Sequence, residues 1–126
     1  MTTSAKLFLA AGSLLALAAV ALGAFGAHAL KSRLSADALA VWQTGIQYHF
    51  YHALGLLAVG LVAQVFPESA PLKWSGWLML AGIALFSGSL YALALSGERW
   101  LGAMAPFGGS AFLVAWALFA TAVIRS

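Results

Sequence analysis

The chain has 126 residues, 63% of them hydrophobic and 7% charged, with a formal net charge of +3 and no cysteine. Soluble domains run at about 45–50% apolar and about 25% charged, so a water-soluble globular domain is excluded. Six basic residues scattered along the chain make no nucleic-acid footprint. The lack of cysteine removes disulfides, thiolate catalysis, iron–sulfur ligation and cysteine-based zinc sites together.

All nine Lys, Arg, Asp and Glu residues fall outside four apolar runs, Leu7 to Leu30, Ala38 to Pro67, Trp74 to Gly97 and Trp100 to Ile124. A helix needs roughly 20 apolar residues to cross the hydrocarbon of a bilayer. Backbone facing lipid must satisfy its own hydrogen bonds, so each run is expected to be a helix. The expected helices cover approximately 6–29, 38–66, 73–96 and 102–124, in one integral membrane domain, 1–126. The first run, with Lys6 ahead of it and Ala27-His28-Ala29 near its end, imitates a secretory signal. It has 24 residues, longer than the usual ~7–15 of such a signal, and it is read as a retained span.

In the first connection Ser35 is the expected N-cap of the second helix. That run is longer than a bilayer requires, so its first turns, Ala38 to Trp42, are expected at the interface. Prolines 67 and 71 bound the second connection, a firm stop and restart. The third connection centres on Ser96-Gly97-Glu98-Arg99. Links this short make successive helices antiparallel neighbours, and the fold class expected is an all-α membrane protein, a four-transmembrane-helix up-down-up-down bundle. Trp42, Trp74, Trp77 and Trp100 lie near expected helix ends, as an interfacial aromatic belt requires. Trp116, deep in the last run, is expected to pack within the bundle. The basic residues divide evenly, with Lys6, Lys73 and Arg125 on one side and Lys31, Arg33 and Arg99 on the other. The positive-inside rule therefore sets no orientation, and insertion in both directions stays open.

Helices in lipid associate through close backbone approach and interhelical hydrogen bonds. Small residues recur at intervals of four at Ala19, Gly23 and Ala27 and again at Ala84, Gly88 and Ala92. These ridges are read as packing within the monomer, with a homo-oligomer seam as the alternative. Gly108 and Gly109, just after Pro106, mark a first turn of the fourth helix that a neighbour can approach closely.

The candidate functional polar groups cluster in the second helix: Gln43, Gln47, His49, Tyr51 and His52. His49 and His52 lie 60° apart on a helical wheel and share a face with Gly45 and Leu56. His28, near the end of the first helix, belongs to the same half of the bilayer. Three readings compete. In the first, neutral imidazoles bond neighbouring helices. In the second, His28, His49 and His52 line a channel or transport pathway. The third, weaker for want of a carboxylate or thiolate partner, is a histidine-ligated metal or haem.

No Asp or Glu lies within a run, which argues against a proton-coupled exporter of the small multidrug-resistance type. No phosphate loop, nucleophile elbow, carboxylate pair or zinc signature appears. The expectation is an accessory or interaction subunit without catalytic residues, metal or cofactor. Its expected partners are the lipid bilayer and a second copy or another membrane protein, with no nucleic acid.

Four strings resemble the transmembrane protein 256-like family over essentially the whole chain, in the right order. They are Gly23-Ala-Phe-Gly-Ala-His-Ala-Leu30, Trp42-Gln-Thr-Gly-Ile-Gln-Tyr-His-Phe-Tyr-His-Ala-Leu54, Leu85-Phe-Ser-Gly-Ser-Leu-Tyr91, and Arg99-Trp-Leu-Gly102 with Pro106-Phe-Gly-Gly109. Where that family tends to have Thr-Pro-Ile-Gly-Gly, this chain has Ala105-Pro106-Phe107-Gly108-Gly109. The resemblance implies a multi-pass protein of the bacterial plasma (inner) membrane with a domain of unknown function. It brings no activity with it.

Overall fold

The computed structural model describes residues 1–126. Four helical spans cover Thr3–Leu30, Ala36–Val65, Ala70–Ser96 and Arg99–Ile124, each long and apolar enough to cross a membrane, and there are no strands. The first is α1 (Thr3–Phe25), closed by a π-helical turn at Gly26–Leu30. The second is α2 (Ala36–Val65). The third is α3 (Ala70–Gly82), a π-helical turn at Ile83–Ser87, and α4 (Gly88–Ser96). The fourth opens with a 3-10 turn, Arg99–Ala103, and continues as α5 (Ala105–Ile124).

The helix ends follow from local chemistry. Ser35 Oγ accepts from the Ala38 amide at 3.1 Å, the expected cap. Thr2 and Ser69 cap α1 and α3 in the same way, which starts both helices three residues earlier than their charges suggest. Each hydroxyl satisfies one of the first-turn amides that have no partner inside the helix. Gly97, at φ 74, ends α4 in the left-handed conformation and returns its amide to the Leu93 carbonyl. A side chain there would be strained.

The second span is central. Its most apolar stretch is 44% buried, against 39% for the third, 22% for the fourth and 17% for the first. α1 packs along α2, the third span lies across α2, and α5 packs along α3. The core is assembled from all four spans, with Phe8, Leu56, Val59, Leu72, Met79 and Phe112 among its buried members. Outside, Leu14, Leu17, Leu61 and Leu113 stand exposed. A rim of leucines suits hydrocarbon as its solvent.

Glycines let the helices touch. A Cβ at Gly12 would come within 2.8 Å of the Ala53 carbonyl, and one at Gly76 within 2.5 Å of the Phe8 ring. The Phe112 ring fills the notch at Gly82, and the Phe86 backbone lies against Gly108. The expected ridges fare differently. Ala19 is buried and Gly23 half-buried against Ile46, but Ala27 is exposed. Ala84 is exposed and Gly88 meets nothing within 4 Å, so the Ala84-Gly88-Ala92 ridge does not pack within the monomer. At 100° per residue the ridge lies on the side of the span away from the buried Gly76, Met79, Leu90 and Ala94.

Candidate functional site

α2 carries its polar side chains on two arcs. Gly45, His49, His52 and Leu56 are all buried, as the wheel predicts, whereas Gln43, Gln47 and Tyr51 are exposed. The two buried histidines share the arc and reach different neighbours. The His49 Nδ1 lies 2.7 Å from the Tyr91 hydroxyl on α4. Its Nε2 is buried with no hydrogen-bond partner.

His52 is held at both nitrogens. Its Nδ1 is 2.7 Å from the Tyr48 carbonyl, and its Nε2 is 3.0 Å from the Trp116 indole nitrogen. A carbonyl only accepts and an indole N–H only donates. The two bonds therefore define one neutral tautomer, with the proton on Nδ1 and the lone pair on Nε2. The Phe112 ring stacks on the same imidazole, 3.5 Å between centroids and 8° from parallel. Trp116 is 43% exposed, so it packs against His52 on the outside of the bundle and not within it as expected.

The other deep hydroxyls complete a set of bonds between helices. Ser87 Oγ, in the π turn, donates to the Gly45 carbonyl at 2.7 Å, tying the third span to α2. Ser75 Oγ donates to the Ala115 carbonyl at 2.7 Å, tying α3 to α5. The Trp42 indole donates to the Leu22 carbonyl at 3.2 Å, tying α2 to α1. Trp42 is only 3% exposed, so it does not join the interfacial belt. Its ring sits over Gly26, whose missing side chain makes the space, and 4.7 Å from the Tyr91 ring. Trp74, Trp77 and Trp100 are exposed near helix ends, as a belt requires.

His28 does not join the other two histidines. It lies exposed in the π turn that ends the first span, and no three His, Asp or Glu side chains come together to hold a metal ion. Gln43 and Gln47 line a separate cavity of about 310 Å³ with Gly23, Gly26, Ala27 and Trp42. Tyr51, His52 and Gly109 belong instead to a larger cleft, about 680 Å³, between α2, the third span and α5. Sequence reasoning missed Ser75, Gly55, Gly76 and Gly82 as contact positions. In a span that is apolar on every side, periodicity carries no signal for which small residue faces a neighbour.

These features define a class: an integral membrane protein, a four-helix bundle whose buried polar groups bond its helices to one another. The chain belongs to the family described as "Protein of unknown function (DUF423)", whose model matches residues 22–109. It is 47% identical over 120 residues to the UPF0382 membrane protein YwdK of Bacillus subtilis, covering 95% of this chain and 98% of that one. It is 49% identical over 111 residues to the UPF0382 membrane protein SSP2132 of Staphylococcus saprophyticus, covering 88% and 91%. A UPF0382 membrane protein of Staphylococcus aureus is 42% identical over 120 residues, covering 95% and 97%. No solved structure matches the chain. The resemblance to small bacterial membrane proteins without an assigned function holds.

Proposed function

We propose that this protein is a non-catalytic accessory or interaction subunit of the bacterial plasma membrane. The observation that carries the reading is the engagement of the deep polar groups. Trp42, His49, Ser75, Ser87 and Trp116 each bond a neighbouring helix. Such bonds position helices in lipid, a structural task for these side chains. Relatives named as membrane proteins of Bacillus and Staphylococcus support the plasma-membrane reading. A three-histidine pathway is disfavoured because His28 stands apart from His49 and His52.

Purification in mild detergent from native membranes, with metal analysis and an absorption spectrum of the same sample, tests the proposal. The expected result is a stoichiometric membrane partner whose abundance falls when this chain is deleted. Stoichiometric metal, a haem band, or solute flux by the protein alone in liposomes overturns it.

A further inference from the structure

The bonding between helices does not account for the cleft beside His52. Tyr48, Tyr51, Phe86, Phe112 and Trp116 wall it, and its volume of about 680 Å³ lies within the roughly 300–1,000 Å³ typical of small-molecule pockets. It opens sideways, toward lipid: Tyr51 is 55% exposed and Leu113 76%.

Three observations specify an occupant. The first is the absence of charge. No Lys, Arg, Asp or Glu lines the cleft, so it suits a neutral molecule and has nothing to hold a phosphate headgroup. The second is depth. Tyr51 is the sixteenth residue of the 30-residue α2, about 22 Å along a helix of about 45 Å. Its hydroxyl and that of Tyr48 bond no group of this chain, whereas the Tyr91 hydroxyl bonds His49. A hydroxyl at mid-bilayer without a partner is costly, and acyl chains supply no acceptor there. The third is Gly109. A Cβ at this position would meet only the Phe86 ring edge, at 3.9 Å, so the missing side chain makes room in the cleft and serves no helix contact. Aromatic walls of this kind favour a flat ring. A seam for another helix would instead be lined by small residues.

We infer that the cleft binds a neutral, membrane-dissolved molecule with a flat conjugated ring, carbonyl acceptors and an apolar tail, the chemistry of an isoprenoid quinone. The ring lies against the aromatic walls, a tyrosine hydroxyl donates to a ring carbonyl, and the tail leaves through the lipid-facing mouth.

The test uses the full chain in phosphatidylglycerol nanodiscs, with a decyl-substituted benzoquinone as the probe and tryptophan fluorescence as the readout. Saturable quenching is expected, with Trp116 as the nearest reporter. Gly109→Leu fills the cleft from a position with no core contact, and it should abolish the saturable part while leaving the melting temperature unchanged. Tyr51→Phe should weaken binding about three- to tenfold, the loss of one hydrogen bond. Quenching that rises linearly and equally in the wild type and Gly109→Leu overturns the inference. Recovery of the fluorescence when decanol is added at the probe's own concentration also overturns it, because the cleft would then be a groove for alkyl chains alone. Should Gly109→Leu also lose its fold, Ser110→Leu blocks the same cleft from an exposed position.

Discussion

Adjacent glycines in α5 do different work, and the difference can be measured. At Gly108 an added methyl would press on the Phe86 backbone and lie 2.7 Å from its Cβ, and backbone cannot swing aside. Gly108→Ala should lower stability by about 1–3 kcal/mol, the cost of overpacking. Gly88→Ala, with open space around it, should be neutral or stabilising by up to about 1 kcal/mol through helix propensity. Reversible unfolding in mixed micelles, followed by tryptophan fluorescence, separates the two. The serines give a matching contrast. Ser75→Ala removes a fully buried bond between α3 and α5 and should cost about 0.5–1.5 kcal/mol. Ser110 bonds back to Pro106 within its own helix, so Ser110→Ala should leave stability unchanged.

Among the elements, α2 organises the bundle because its buried arc faces three neighbours at once. The 60° between His49 and His52 aims one ring at α4 and the other at α5. A double-mutant cycle of His49→Phe and Tyr91→Phe should give a coupling of about 1 kcal/mol. His28→Ala, on an exposed turn, should show none with either. A flat zero for the His49–Tyr91 pair would refute the proposed role of that bond. The arc was readable in the sequence, since α2 runs unbroken and 100° per residue holds along it. In the third span Gly76, Met79, Ser87, Leu90 and Ala94 fall on one side of the wheel and are buried, whereas the Ala84-Gly88-Ala92 ridge falls on the other, so small-residue spacing pointed to the wrong face. No residue type announces the π turn at Ile83–Ser87.

For the whole molecule, interior and exterior are both apolar, so contact and not hydrophobicity separates them. Leu56→Ala, at a site where all exposure is lost, should cost about 2–4 kcal/mol. Leu113→Ala, on the lipid face, should cost far less, and the same micelle assay compares them. The even division of basic residues makes orientation easy to bias. Two lysines added between Pro67 and Lys73 should hold that connection in the cytoplasm in every molecule. Single-cysteine variants labelled from one side report it, against a background free of cysteine.

Four spans, their order and their antiparallel succession were determined by the sequence alone, because charge cannot enter hydrocarbon and short links cannot cross it. Ser35 as a cap and the buried arc of α2 were likewise local consequences of residue type and spacing. Which glycine meets a neighbour, that Trp42 turns inward to Leu22, and that His28 stands apart were decided only by tertiary structure. So was the cleft beside His52, which exists only where α2, the π turn and α5 meet. The reason is common to all of these: where every face of a helix is apolar, partner choice rests on shape and on a few hydrogen bonds between residues distant in sequence.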